Sequence, residues 1–368
     1  MTTPRLTPLA ASLPASVPFV GPEAQERALG HPFRARIGAN ESVFGPSPRA
    51  VDAMRQAATE TWMYGDPEMH DLRTALAAHH GLAPANVMPG EGIDGLLGYA
   101  VRLLVGPGDA VVTSDGAYPT FNYHVAGYGG QLHKVPYRDD HADLDALWQR
   151  AGDAGARMIY LANPDNPMGS WHTEATLAEA IARLPDGCLL LLDEAYSDTA
   201  PPGVVPPLDT SDPRVLRMRT FSKAYGLAGL RVGYAIGHEE LITAFNKVRN
   251  HFGVGRVAQA GALAALGDPD YLEQTVLKIH AACTRIGSIA RENGLEPLPT
   301  ATNFVTIDCG REGAFAKAVL DGLIAQGLFV RMPFAAPGNR CIRVSAGHPE
   351  DLDAFAEALP IALERARG

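Results

Sequence analysis

The sequence predicts an α/β protein in which helices flank a mostly parallel central sheet, with a smaller α+β domain beside it. From about residue 48, helical patterns alternate with short apolar runs that are typical of buried strands. Beyond about residue 250, long helical patterns precede three further apolar runs. The 368 residues also exceed what one hydrophobic core usually serves. We therefore expect two domains.

Hydrophobic periodicity locates the individual elements. Helical patterns cover residues 49–58, 72–80, 92–105, 257–266 and 271–293. Apolar runs that predict strands lie at 110–113, 158–162, 189–192, 215–219, 231–236, 303–307, 329–331 and 341–345. The predicted units are an N-terminal arm (1–40) that joins the small domain, a large domain (41–253) and a small C-terminal α+β domain (254–368). Prolines interrupt the arm, so we expect it to be irregular, with neither helix nor strand; they are Pro4, Pro8, Pro14, Pro18 and Pro22.

Composition favours work on small molecules. The formal net charge of −10 argues against broad binding to nucleic acid or anionic lipid. No apolar run approaches the roughly 20 residues of a membrane-spanning helix. No metal-binding motif such as H-E-x-x-H is present, and the cysteines form no C-x-x-C pair, which indicates reduced thiols. Because the first segment is a poor export signal, we expect a cytoplasmic protein.

Three polar residues follow consecutive predicted strands. They are Asn166, Asp193 and Lys223. Since the carboxyl ends of parallel strands meet at one edge of a sheet, we expect these side chains to converge on one crevice. Apolar residues and glycines flank Lys223, and desolvation by such neighbours lowers the pKa of a lysine and frees its amine to attack an aldehyde.

Four ordered motifs resemble those of class I/II aminotransferases, which have the fold of type I pyridoxal-phosphate (PLP) enzymes. The motifs are Asn163-Pro-Asp-Asn-Pro-Met-Gly, Asp193-Glu-Ala-Tyr, Ser222-Lys223 and Gly229-Leu-Arg231-Val-Gly. Within this family the chain is most similar to the histidinol-phosphate aminotransferase branch, through Ala39-Asn-Glu-Ser, Tyr64-Gly-Asp-Pro and the segment around Lys223. The likeness runs from about residue 37 to 355.

The resemblance implies PLP as cofactor and assigns roles around its ring. Lys223 would hold the cofactor as a Schiff base and then move protons as general base and acid. Asp193 would pair with the ring nitrogen and keep it protonated. Asn166 and Tyr196 would hydrogen-bond the phenolic oxygen, and Tyr118 would stack on the ring face.

The resemblance also implies a phosphate site. Gly92, Ile93 and Asp94 open a predicted helix whose amides and dipole suit an anion. Ser222 and Arg231 match the positions that complete the phosphate cup.

Other residues are matched to the substrate and to a partner subunit. Arg343 matches the arginine that grips a substrate carboxylate, and Arg331 matches a contact to the phosphate of histidinol phosphate. Asn166 is expected near the substrate as well. Tyr64 matches a residue that reaches the phosphate from the neighbouring subunit, which implies a homodimer.

The implied reaction is transamination between an amino donor and a 2-oxo acid, with 2-oxoglutarate as the expected acceptor. The donor is histidinol phosphate or an aromatic or related amino acid. Departures from the histidinol-phosphate pattern at Ser42, Gly95, Met168 and the Phe334 loop bear on the donor's identity. The cofactor motifs serve decarboxylation equally, so a PLP-dependent decarboxylase of the threonine-phosphate type is an alternative.

Two readings from other classes remain as alternatives. Gly90-Glu-Gly-Ile-Asp-Gly followed by Asp115 imitates the dinucleotide fingerprint of a nicotinamide dehydrogenase. Pro89 and a very short preceding strand argue against it, and this reading leaves Lys223 and Asp193 without a role. A non-catalytic ligand sensor would need a DNA-binding module, for which residues 1–36 are too few.

Overall fold

The structure is a computed structural model that describes residues 5–15 and 20–368. Its α-helices are α1 (Pro8–Ser12), α2 (Pro22–Leu29), α3 (Pro48–Ala58), α4 (His70–His80), α5 (Gly92–Leu104), α6 (Pro119–Gly127), α7 (Leu144–Ala154), α8 (Glu174–Ala182), α9 (Glu239–Ala244), α10 (Arg256–Leu266), α11 (Pro269–Glu292), α12 (Gly313–Ala325) and α13 (Pro349–Arg367). Its strands are β1 (Ala35–Arg36), β2 (Val87–Gly90), β3 (Ala110–Ser114), β4 (Gln131–Val135), β5 (Met158–Ala162), β6 (Leu189–Asp193), β7 (Val215–Thr220), β8 (Gly233–Ile236), β9 (Glu296–Pro297), β10 (Phe304–Asp308), β11 (Leu328–Phe329) and β12 (Cys341–Ser345).

The central sheet has seven strands in the order β2-β8-β7-β6-β5-β3-β4. Strands β7, β6, β5, β3 and β4 pair in parallel, whereas β8 runs antiparallel to both β2 and β7. Both faces are covered. Leu189 and Leu191 of β6 join one apolar core cluster, and Leu190 and Leu192 join another on the opposite face. The predicted mostly parallel sheet flanked by helices is confirmed.

A smaller unit combines the start and the end of the chain. Strand β10 lies between β12 and β9 in an antiparallel sheet, and β1 pairs in parallel with β11. Ala35 and Ile37 share an apolar cluster with Ile279 of α11, Val319 of α12 and Phe355 of α13. The end of the arm, after α2, is therefore part of this small unit's core.

The prolines of the arm predict an irregular segment with neither helix nor strand, and this prediction is wrong, because α1, α2 and β1 lie within it. Helices α1 and α2 begin at Pro8 and Pro22. Proline suits the first position of a helix, because its missing N–H needs no partner there and its φ is already helical. Pro14 follows the end of α1, while Pro4 and Pro18 lie outside the described residues.

We propose a later boundary between the two units than residue 253. Ala258, Ala262 and Ala265 of α10 pack in the same core cluster as Leu96 of the large unit. Ile279 of α11 instead lies in the core of the small unit. The division therefore falls between α10 and α11.

Candidate active site

A cleft lies at the carboxyl ends of β5, β6 and β7. It encloses about 330 Å³. The predicted site residues that line it are Ile93, Asp94, Tyr118, Asn166, Asp193, Tyr196, Ser222, Lys223 and Arg231. The structure thus brings together nine side chains that are scattered over more than a hundred positions of the sequence, as the strand-end argument predicts.

Lys223 lies in the turn that follows β7. The turn is fixed by Thr220, whose Oγ1 accepts from the Ser222 N–H at 3.0 Å, and by Gly226, whose N–H donates to the Lys223 carbonyl at 3.0 Å. The partly buried Nζ of Lys223 donates to the Asn40 carbonyl at 3.1 Å. Burial, and after it the nearby Arg343 guanidinium, lower the pKa of Lys223 to about 8 against the opposing effect of Glu41.

Asp193 is the last residue of β6 and is buried. Its Oδ2 accepts from the Tyr160 hydroxyl at 2.7 Å, and its Oδ1 accepts from the Ala195 N–H at 2.9 Å. Burial raises the pKa of Asp193 to about 6, while these two hydrogen bonds and the charge of Lys223 act in the opposite direction. A cationic N–H in the cleft would therefore find a strong acceptor in this carboxylate.

Two further polar groups face the same space. The hydroxyl of the buried Tyr196 accepts from Nδ2 of Asn40 at 3.0 Å. Asn166 accepts through Oδ1 from Nη1 of Arg343 at 2.5 Å. The loop that carries Asn166 is held by Asp165, whose Oδ2 accepts from the Met168 N–H at 2.8 Å. A buried aspartate thus makes the turn that aims Asn166 at the cleft.

An anion site opens at the start of α5. The N-terminus of this helix has no side-chain cap, and Ile93 and Asp94 of its first turn line the cleft. Gly92 has a φ of +71°, and a Cβ there would lie 2.5 Å from Nη2 of Arg231. Arg231 also donates to Ser222 Oγ at 3.4 Å. Helix amides, a hydroxyl and a guanidinium therefore converge on one point.

A second pocket adjoins the first and shares Tyr118, Asn166 and Lys223 with it. It encloses about 320 Å³, and Arg331, Arg343, Phe334 and the arm residues Gly21 and Pro22 line it. Arg331 donates from Nη2 to the Val20 carbonyl at 2.8 Å. The buried Nε of Arg343 has no hydrogen-bond partner among residues 5–15 and 20–368. The pocket therefore offers two guanidinium groups beside the lysine.

Tyr64 lies apart from these residues. Its side chain is 79% exposed, and its ring contacts that of Phe252 with a centroid distance of 4.7 Å.

Two residues at the site were not predicted from the sequence patterns. Tyr160 contacts Asp193, and Asn40 contacts Lys223 and Tyr196. Folding brings these residues together from distant parts of the chain, although the Ala39-Asn-Glu-Ser motif contains Asn40.

The dinucleotide alternative conflicts with the sheet topology. Strand β2, which precedes the glycine-rich segment, pairs antiparallel with β8 and is not hydrogen-bonded to β3. A dinucleotide fingerprint needs a parallel strand-helix-strand unit at that point. None of the helices in the described part of the chain combines the length and the apolar composition of a membrane-spanning segment. The described histidine, cysteine and acidic side chains also form no cluster suited to a metal ion.

Comparisons with known proteins agree with the site. The family model for aminotransferase class I and II matches residues 36–359. A histidinol-phosphate aminotransferase of Mesorhizobium japonicum is 34% identical over 336 residues, which cover 88% of this chain and 89% of that protein. One of Roseiflexus castenholzii is 34% identical over 364 residues, covering 96% and 97%.

A solved structure is similar over nearly the whole chain. It is the histidinol-phosphate aminotransferase of Sinorhizobium meliloti in complex with pyridoxal-5'-phosphate, which is 53% identical with a TM-score of 0.96 and covers 99% of this chain and 98% of its own. A Thermus thermophilus aspartate aminotransferase with 22% identity and a TM-score of 0.81 shares the fold, covering 98% and 100%. The protein described by this sequence belongs to the class I and II aminotransferases.

Proposed function

We propose that the chain is a PLP-dependent aminotransferase that moves the amino group of histidinol phosphate to a 2-oxo acid, with 2-oxoglutarate as acceptor. The observation that carries this proposal is Lys223, whose burial lowers its pKa to about 8 and whose Nζ lies in one cleft with the buried Asp193 carboxylate. The names of the relatives in Mesorhizobium, Roseiflexus and Sinorhizobium support the donor. They also favour transamination over decarboxylation.

The residues of the cleft suit PLP. An aldehyde needs a lysine amine, a protonated ring nitrogen needs a carboxylate, and a phosphate needs backbone amides and a guanidinium. Lys223, Asp193 and the cradle formed by Gly92, Ser222 and Arg231 meet these needs in turn. The absence of a side chain at Gly92 leaves the space that Arg231 occupies.

When bound, PLP supplies an electron sink that stabilises negative charge at the substrate Cα. Lys223 would hold it covalently through Nζ. The same Nζ, with its lowered pKa, would serve as the base that takes the proton from the donor Cα and as the acid that gives a proton back. Asp193 would keep the ring nitrogen protonated, because its buried carboxylate lines the cleft and can accept a hydrogen bond there.

The remaining cleft residues would orient the cofactor and the substrate and exclude water. Tyr196 and Asn166 present a hydroxyl and an amide for the phenolic oxygen of the ring, while partly buried Tyr118 offers an aromatic face. In the second pocket, Arg343 would grip the carboxylate of the 2-oxo acid and Arg331 the phosphate of the donor. Asn166, which already binds Arg343, would border the same substrate.

The proposed assembly is a cytoplasmic homodimer. Tyr64 is exposed, its ring contacts Phe252, and it does not line the cleft of its own subunit; these observations support a contact with a partner subunit's phosphate site. The cysteines support a reducing compartment, because all of them are free thiols: Cys188, Cys283, Cys309 and Cys341.

Donor assays with an Arg331→Gln variant test the substrate. Formation of glutamate from 2-oxoglutarate would be followed with histidinol phosphate and, separately, with phenylalanine as donor. We expect the variant to raise KM for histidinol phosphate about tenfold or more, since a charge-assisted bond to phosphate is lost. KM for phenylalanine should hardly change, because this donor has no phosphate.

An equal rise of KM for both donors would contradict the phosphate role of Arg331. If the wild-type protein forms glutamate with neither donor, the proposed donor class is wrong.

A further inference from the structure

We propose that Tyr160 is a positioning residue whose hydroxyl keeps the Asp193 carboxylate ionised and aimed into the cleft. The inference rests on the proposed function, in which Asp193 meets the ring nitrogen of the cofactor. Neither the sequence motifs nor the family resemblance assigns a role to Tyr160.

The two residues are diagonal neighbours on adjacent parallel strands. The register of β5 and β6 pairs Ala162 with Asp193. Tyr160 lies two residues before Ala162 and therefore projects from the same face of the sheet. Its hydroxyl donates to Oδ2 of Asp193 at 2.7 Å, while the Ala195 N–H donates to Oδ1 at 2.9 Å. Each carboxylate oxygen thus has one fixed donor, which prevents the group from rotating.

The ring of Tyr160 is itself fixed. Its side chain is almost fully buried, and it stacks on Phe121 with a centroid distance of 4.5 Å and an interplanar angle of 15°. Both residues belong to the core cluster on this face of the sheet. Since the ring has no room to move, the position of the hydroxyl is set by core packing.

The hydrogen bond opposes the effect of burial on Asp193. Burial raises the pKa of this carboxyl to about 6, and the bond from Tyr160 is the largest influence that lowers it. Burial raises the pKa of Tyr160 well above its ordinary value, so its hydroxyl remains a donor near neutral pH. The titratable groups that face Asp193 are Lys223, Glu194, Tyr118, Tyr160 and Tyr196.

A Tyr160→Phe variant removes the hydroxyl and keeps the stacked ring. The dissociation constant of PLP from the apo-protein would be measured between about pH 5 and pH 9 for wild type and variant. We expect the affinity for PLP to weaken on acidification at a pH about one unit higher in the variant than in wild type. The reason is that losing a hydrogen bond to a charged group raises the pKa of Asp193 by about one unit. In the loaded enzyme, kcat should fall while KM for the donor stays constant.

Two controls separate this role from a merely structural one. Tyr234 is also buried in the central sheet, and its hydroxyl pairs with Nε2 of His80 at 3.0 Å, outside the cleft. Tyr234→Phe should lower thermal stability without displacing the pH dependence of PLP binding. In an Asp193→Asn background, Tyr160→Phe should produce no displacement, since the titrating group is gone.

The outcomes are distinct. The same pH dependence in wild type and Tyr160→Phe overturns the inference, as does a displacement that persists in the Asp193→Asn background. A wild-type apo-protein that binds no PLP at any pH would overturn the proposed function, and the role of Tyr160 with it.

Discussion

Lys223 differs from the other lysines of the chain in its surroundings. Those others are exposed to solvent: Lys134, Lys247, Lys278 and Lys317. The amine of Lys223 is partly buried between the Asn40 carbonyl and the ring of Tyr196, with the Nζ 5.6 Å from the ring centroid. Its lowered pKa makes the neutral amine far more abundant near neutral pH than it is for a surface lysine.

The rate at which the apo-protein captures PLP should follow the titration of Lys223. Because only the neutral amine attacks an aldehyde, the rate should rise with pH and level off above about 8, the pKa of this lysine. Stopped-flow absorbance after mixing with PLP at a series of pH values measures it. A rate that keeps rising up to the ordinary lysine pKa of about 10.4 would contradict a lowered pKa.

The candidate catalytic residues could be predicted from the sequence where a chemically reactive side chain directly follows a predicted strand. Asp193 and Lys223 follow apolar runs, so the sequence places them at the sheet edge. Tyr160 lies inside such a run and looks like an ordinary core residue. Asn40 contacts Lys223 across 183 positions of the chain, and no local pattern encodes a contact of that range.

At the scale of elements, the start of α5 is the most constrained part of the site. Gly92 combines a left-handed φ of +71° with the close approach of Arg231. A side chain there would meet both backbone strain and a clash with the guanidinium.

Gly92→Ala should therefore weaken PLP binding about tenfold or more, since the added Cβ displaces Arg231 and a hydrogen bond to a charged group is worth about 1.5–3 kcal/mol. Gly108→Ala is the matched control, because Gly108 has a φ of +88° but no heavy atom within 4 Å of a Cβ. The control should lower thermal stability and leave the dissociation constant of PLP unchanged. Equal PLP affinities of Gly92→Ala and wild type would contradict the proposed phosphate cradle.

Strands were predicted more closely than helices. Strands β5 and β12 have the predicted bounds. Strand β5 reads as a continuous apolar run because it is parallel and buried on both faces of the sheet. Strand β8 starts at Gly233 rather than 231, because Arg231 adopts a left-handed φ of 55°. The sequence patterns did not predict α13, which continues through Pro360, a residue that normally ends a helix.

For the whole molecule, the second pocket depends on parts that are distant in sequence. The arm supplies Gly21 and Pro22, the small unit supplies Arg331 and Arg343, and the large unit supplies Tyr118. The predicted fold class and family follow from local patterns and motifs. The position of the arm against Arg331 is a product of long-range packing, which those patterns do not contain.

A mixing experiment tests the proposed dimer. Lys223→Ala and Tyr64→Ala subunits should each have low activity alone, the first for lack of the amine and the second for lack of a partner contact. Subunits mixed and reassembled should regain activity, because one site in each mixed dimer then has Lys223 and the partner's intact Tyr64. No recovery in dimers proven to be mixed by mass spectrometry would contradict a shared site.

The most direct test of the central claim is to identify the lysine that binds the cofactor. The protein would be incubated with PLP, reduced with borohydride, digested and analysed by peptide mass spectrometry, with Lys223→Ala as control. We predict a pyridoxyl phosphate adduct on the peptide that contains Lys223, and its loss in the variant. An adduct confined to exposed lysines such as Lys247 or Lys278, or none at all, would contradict the assignment of this cleft to PLP chemistry.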